Sequence, residues 1–260
     1  MAQNAATATK GAVRNGNLAS VRENTAKGVF IALAAFSILA VFAIVIYLLS
    51  ASIPAFREIG FFKFLTGSIW SAKHEIFGIL PMIVSSLVLT VLSVLLGGIL
   101  AIFTAVYMVY YCPIWMKKIY EQIINLLAGI PSLIFGYFGL VALKPVLDDL
   151  FNVGSSLGLL LSTLVLSIMI LPTITSLVKN SLENVPMHYY EGALALGCTK
   201  NQAVWKVCLP AAKNGIIAAL ILGIGRAVGE TMAVHLLLGN LVNYPTGFFL
   251  PSPSLTSNIV

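Results

Sequence analysis

The sequence predicts an all-α, polytopic integral membrane protein with about five transmembrane helices. Three observations predict it. Hydrophobic residues make up 59% of the 260-residue chain and charged residues only 9%, whereas about a quarter of an ordinary soluble domain is charged. Mean hydropathy is +0.97. Long uncharged stretches recur at 28–53, 76–111, 122–143 and 151–178, and a fifth at 214–241 carries a single charged pair. Each exceeds the roughly 20 residues that cross a hydrocarbon core as a helix.

Taken in order, residues 1–27 are polar and rich in Ala, Asn and Thr, which predicts an irregular cytoplasmic segment. The apolar run at 28–53 is too long for the core of a cleavable signal and reads as an uncleaved anchor. The stretch 76–111 could form one long helix or a hairpin turning at Gly97-Gly98. Nothing polar flanks those glycines, so one helix with interfacial ends is expected. Positive charge tests this, because cytoplasmic loops hold the excess of Lys and Arg. With one span, Lys10, Arg14, Arg22, Lys27, Lys117, Lys118, Lys179, Lys200, Lys206 and Lys213 share the cytoplasmic side. Arg57, Lys63, Lys73 and Lys144 lie opposite. Two spans would move the lysines of 179–213 outside, so the N-terminus is placed in the cytoplasm.

Pro131 and Pro172 are expected to kink the third and fourth spans. Trp70 and Trp115 read as interfacial anchors, and Lys144, Asp148 and Asp149 as an exposed loop. The membrane body is then 28–241, with a cytoplasmic loop at 179–213 and an extracytoplasmic tail at 242–260.

Several function classes are disfavoured. The net charge of +6 is spread over membrane-flanking loops and forms no aromatic-interleaved basic patch, which argues against nucleic acid. Cys112, Cys198 and Cys208 show no C-x-x-C spacing and read as structural thiols. His74, His188 and His235 are too scattered for a metal site. Neither H-E-x-x-H nor G-x-S-x-G occurs, and without G-x-x-x-x-G-K-[ST] the chain is not itself an ATP-driven motor.

The loop VKNSLENVPMHYYEGALALGCTKNQAVWKVCLPAAKN, residues 178–214, predicts a helical hairpin. Pro186 can open a helix carrying Tyr189, Ala193 and Leu196, and Gly197 permits a turn with positive φ. Thr199 or Asn201 can cap a second helix bearing Ala203, Val204 and Val207. Periodicity alone leaves an amphipathic connector as good a reading as a docking knob.

Glu191-Gly192-Ala193, Gly197, Val207, Leu209 and Pro210 resemble the EAA loop of binding-protein-dependent ABC importers, E-A-A-x3-G-x9-I-x-L-P, with Gly192 and Val207 as departures. In that family the loop inserts into a cleft of the cytoplasmic ATPase. FGILPMIVSSL (77–87), LLAGIPSLIFGYFGL (126–140) and GRAVGETMAV (225–234) resemble the permease of the phosphate-specific (Pst) transporter, the last being closest to its C-type subunit. The resemblance implies an ABC importer permease fold of six helices, of which this sequence supplies about five. It also implies a second, PstA-like permease subunit, a PstB-like ATPase dimer carrying the ATP and Mg, and an extracytoplasmic PstS-like phosphate-binding protein. No cofactor is then expected on this chain, which sits in the lipid of the bacterial inner membrane.

Arg226 lies 13 residues past Lys213, about 20 Å along a helix and near mid-membrane. A central arginine costs roughly 2.5–3.5 kcal/mol on insertion scales, so it must face protein or water. Arg226 and Glu230 are four apart, which makes an internal ion pair the plain expectation. Arginine first is the weaker order, however, and leaves guanidinium donors over. Gly223, Gly225 and Gly229 either admit a close neighbour or leave an open cavity. Packing alone leaves a structural pair and a substrate pathway equally open. The resemblance supplies an anion, and guanidinium matches a phosphate with two prongs. Arg226 is then expected to alternate between Glu230 and phosphate. A permease for another oxyanion, and a secondary transporter with Glu230 as proton carrier, are the alternatives.

Overall fold

The computed structural model describes residues 2–71, 74–239, 241, 244 and 247–258, with side chains from residue 24 onward. Lys73, residues 242, 243, 245, 246, 259 and 260 of the predicted tail, and the side chains of Lys10, Arg14 and Arg22 therefore lie outside the described residues. The chain forms two units, residues 1–61 and 62–260.

The first unit is one helix, α1 (Ala2–Ile59). The polar N-terminal segment expected to be irregular is continuous with it, because alanine-rich sequence favours helix and no proline occurs before Pro54. Its apolar window, within 24–59, reaches a mean hydropathy of 3.0. Phe30, Phe36, Phe42 and Ile46 are exposed there, as suits a helix surrounded by hydrocarbon.

Helix α2 (Phe61–Thr66) starts at the last residue of the first unit and leads into the second, which continues with a short antiparallel pair, β1 (Trp70–Ser71) and β2 (Ile76–Phe77), in which Trp70 and Phe77 meet edge to face at 5.2 Å. Next comes α3 (Leu80–Val106), extended by a π-helical turn at Tyr107–Tyr111. It passes Gly97-Gly98 without turning, as the charge asymmetry required. Gly97 serves packing, since a β-carbon there would lie 2.7 Å from the Ser167 carbonyl oxygen.

The third expected span departs from a straight helix. Helix α4 (Ile114–Gly129) is bent by 95° from the helical segment Ser132–Phe151, which opens with α5 (Ser132–Phe138). Pro131 lacks an N–H and biases Ile130 towards extended backbone, here φ −72° and ψ 128°. A π-helical segment, Gly139–Leu143, leads into α6 (Lys144–Phe151), which replaces the expected exposed loop. Leu147 is buried, Lys144 Nζ donates to Asp148 Oδ2 at 2.6 Å, and Asp148 Oδ1 accepts from Ser156 N at 2.6 Å. Asn152 (φ +52°) and Gly158 (φ +149°) then turn the chain, so the fourth span, α7 (Leu159–Glu183), starts at Leu159 rather than at residue 151.

The remaining helices are α8 (Met187–Ala195), α9 (Lys200–Ala203) with a π-helical segment Val204–Cys208, α10 (Leu209–Ala211), α11 (Lys213–Val228) and α12 (Met232–Leu238). Among the described residues, three helices are long and apolar enough to span a membrane, or up to five spans if each bent pair counts as one. The fold is all-α, as predicted. The fifth span differs in its limit: α11 ends at Val228 instead of running to residue 241.

Helix α7 is the centre of this unit. Leu161, Val165, Met169, Ile170, Ile174 and Val178 along it pack with Leu89, Ala101 and Ala105 of α3 and with Ala219 and Ala227 of α11. Of its buried hydroxyls, Ser167 Oγ donates to the Thr163 carbonyl at 2.6 Å, whereas those of Ser162 and Thr163 have no partner among the described residues. Gly223 brings α11 against α7, since a β-carbon there would stand 2.5 Å from Ile174 Cδ1.

Candidate functional site

Gly223 and Gly225, expected to act alike, differ. The first is filled by α7, whereas a β-carbon on Gly225 would meet open space. One residue beyond that opening is Arg226, in the last turn of α11 and half-buried. Its Nη1 donates to Thr173 Oγ1 of α7 at 2.8 Å, its one side-chain hydrogen bond among the described residues. Sequence reasoning missed Thr173, because the contact joins two helices 53 positions apart.

The expected pairing of Arg226 with Glu230 is not formed. The helix ends between them: Gly229 N bonds back to Gly225 O at 3.1 Å and closes α11. The Glu230 carboxylate instead accepts from Ala233 N at 3.2 Å, in the first turn of α12. An i,i+4 geometry needs unbroken helix, and Gly229 interrupts it. Glu230 also anchors the C-terminal segment, its carbonyl accepting from Thr256 Oγ1 at 2.9 Å.

The residues 247–258 fold back on the bundle. Ser252, Ser254 and Ser257 are buried. Ser252 N donates to the Leu238 carbonyl at 3.0 Å, Leu255 N to Ser86 Oγ at 2.9 Å, and His235 Nδ1–H to the Ser257 carbonyl at 3.1 Å. This arrangement around Glu230 was not legible from the Pro- and Ser-containing sequence alone.

The second candidate region is the hairpin of α8 and α9. Pro186 precedes α8, and Gly197 adopts φ +84°. Cys198 N bonds to Ala193 O at 3.1 Å and Gly197 N to Leu194 O at 2.9 Å, the paired closure of a Schellman motif. Thr199 caps α9, with Gln202 completing the reciprocal capping box. Ala193 is buried and Val207 and Leu209 are half-buried, while Glu191 and Pro210 are exposed. The loop expected at 179–213 is thus held by its small and aliphatic positions and presents its acidic one. Tyr189 and Leu196, which recur with Ala193 at helical spacing, are 49% and 87% exposed. With Met187 they form an apolar tip. Tyr110 stacks on Tyr190 at 5.8 Å and Tyr111 Oη donates to Asn201 Oδ1 at 2.7 Å, tying the hairpin to the end of α3.

A family model described as binding-protein-dependent transport system inner membrane component matches residues 94–259. The chain belongs to this family. The match takes in α7, the hairpin, Arg226 and the folded C-terminal segment. Family membership makes this chain a multi-pass inner membrane component of a binding-protein-dependent transport system. A probable ABC transporter permease from Bacillus subtilis is 39% identical over 199 residues, 76% of this chain and 64% of the relative. This chain therefore spans less than two thirds of that relative's length. Phosphate transport system permeases PstC from Mesorhizobium japonicum and Pasteurella multocida are 33% and 32% identical, covering 83% and 84% of this chain and 72% and 77% of theirs. The MetNI methionine ABC transporter in inward-facing conformations shares the permease fold, with a TM-score of 0.52 at 23% identity over 64% of this chain and 76% of the other.

Proposed function

We propose that this chain is the C-type permease subunit of an ATP-driven importer that moves inorganic phosphate into the cytoplasm, with Arg226 contacting the ion in transit. The observation that carries the reading is a half-buried arginine beside the open flank of Gly225, held by a single neutral hydroxyl. A guanidinium has five donors, so Thr173 orients it while leaving others for an oxyanion. Relatives named as phosphate permeases supply the substrate class.

Glu230 lines the same pathway in a different capacity from the pairing expected. Its carboxylate fixes the start of α12, and a negative charge near the arginine keeps phosphate from binding too tightly to leave. The hairpin docks on the ATPase: Glu191 and the apolar tip form the contact, Ala193, Val207, Leu209 and Pro210 hold the hairpin's shape, and Gly197 sets its turn. A PstA-like permease completes the pathway, a PstB-like dimer hydrolyses ATP, and a PstS-like protein delivers phosphate. Residues 1–27 face the cytoplasm.

The test is ATP-dependent uptake of labelled phosphate by vesicles holding the assembled complex. Arg226→Lys keeps the charge and loses the planar fork, so an intermediate rate is expected. Uptake unaffected by Arg226→Gln, with the complex intact, would remove the substrate role. Transport of a different oxyanion, with phosphate ignored, would replace the substrate.

A further inference from the structure

Thr173, the partner of Arg226, begins a row on α7 that continues at i+3 through Ser176 to Lys179. Six residues separate its ends, about 9 Å along the axis. Ser176 and Lys179 open into a cavity of about 140 Å³ between α4 and α7, also lined by Met108, Glu121, Ile124 and Asn125. Lys179 Nζ lies 2.6 Å from Glu121 Oε1 and 3.6 Å from Glu183 Oε2, and Lys117 Nζ lies 2.6 Å from Glu183 Oε1. Two lysines thus face two carboxylates.

The burial of this cluster is uneven. The Lys179 side chain is 17% exposed, whereas Glu121 is 37% exposed. The carboxylate can therefore swing into water at small cost, but the ammonium left behind would keep only the longer contact to Glu183, which Lys117 already engages, and would be an under-compensated, largely buried cation. Something must then take the carboxylate's place. Ser176 is half-buried and Asn125 exposed, and both line the cavity; the hydroxyl and the amide can each donate to a ligand made of acceptor oxygens. A purely structural ion pair would need neither the cavity nor these two donors.

We propose that this cavity is a second anion-contact station on the path of the transported oxyanion, with Lys179, Ser176 and Asn125 as its ligands and Glu121 as a displaceable counter-ion. It rests on the reading of the chain as a phosphate permease. The ion leaves Arg226, descends one to two turns of α7, and exchanges with Glu121 on Lys179. Charge on the lysine is balanced before and after, so the station holds the ion weakly and returns to its closed pair on release. Arrival of the ion also frees Glu121 and loosens α4 from α7 directly before the hairpin.

The experiment loads vesicles carrying the assembled complex with ATP and graded inorganic phosphate, and measures how cytoplasmic-side phosphate slows uptake. Glu121→Gln removes the competitor and should lower the half-inhibitory phosphate concentration several-fold. Lys179→Gln should raise it about tenfold, the low end for a lost charged hydrogen bond, and Lys179→Arg should restore sensitivity. A structural pair predicts that both neutral variants change the rate alike and leave sensitivity unmoved, and that result overturns the proposal. If Lys179→Gln fails to co-purify with the ATPase, Glu121→Gln and Lys179→Arg decide it, since unshifted sensitivity in Glu121→Gln overturns the station. A wild-type complex that transports another oxyanion refutes the phosphate reading, and the same series run with that ion decides the station. A complex that moves no oxyanion overturns both.

Discussion

A guanidinium in the final turn of a helix cannot reach along the helix for a carboxylate four residues on once that helix has ended. Gly229 ends α11, so Arg226 turns to Thr173 and Glu230 to the amide of Ala233. This separation makes a prediction that differs from an ion pair. Arg226→Gln should lower phosphate uptake by about 10- to 100-fold, the factor expected for losing hydrogen bonds from a charged donor. Glu230→Gln should leave assembly intact, because the amide oxygen of glutamine can still accept from Ala233, while loss of the charge should slow phosphate release and lower uptake less than Arg226→Gln does. The double variant should behave like Arg226→Gln alone. Restoration of uptake in the double variant, measured in vesicles, would show that neutralising Glu230 was the arginine's purpose. The importance of Arg226 was legible in the sequence because charge at that depth is costly. Its partner was not, because Thr173 is one of many hydroxyl residues and only the packing of α11 on α7 selects it.

At the scale of elements, the α8–α9 hairpin was the most legible feature. Pro186, Gly197 and Thr199 are local signals whose backbone geometry depends little on distant packing, and each stands where the sequence placed it. Which side chains face outward was less legible: a short helix exposes most of its surface, and Tyr189 and Leu196 face out. The turn itself can be tested. A β-carbon on Gly197 would meet nothing within 4 Å, so any penalty there comes from φ +84° rather than from crowding. Gly197→Val should cost about 1–2 kcal/mol of local conformational energy, misshaping the hairpin and weakening ATPase co-purification while the complex still inserts. Gly197→Asn should be tolerated, since asparagine enters the left-handed region readily. Equal co-purification of the valine and wild-type chains would separate the turn from docking. The bend at Pro131 shows the opposite balance. Proline announced an irregularity, but its 95° size depends on the neighbours that receive α5.

For the whole molecule, hydropathy and the lysine distribution settled the all-α class and the approximate number of spans, while the limits of the bent ones came from turns and tertiary contacts. Orientation can be checked with the cysteines. Cys198 is half-buried and Cys208 fully buried, so in a Cys112→Ser chain an impermeant maleimide should reach Cys198 from inside-out vesicles and not from intact cells. Labelling of intact cells would invert the topology. The central position of α7 bears finally on biogenesis. Its most apolar window has a mean hydropathy of 2.0 and is 67% buried, against 2.6 and 33% for the window of α3. The later helix is therefore the less comfortable in lipid, and it leaves the ribosome after α3 has been made. Gly97 of α3 offers it a bare groove against the Ser167 backbone. The earlier span is thus a waiting berth for the later one, and widening Gly97 to valine should show first as slow, protease-sensitive insertion of the nascent chain, before any fault in transport.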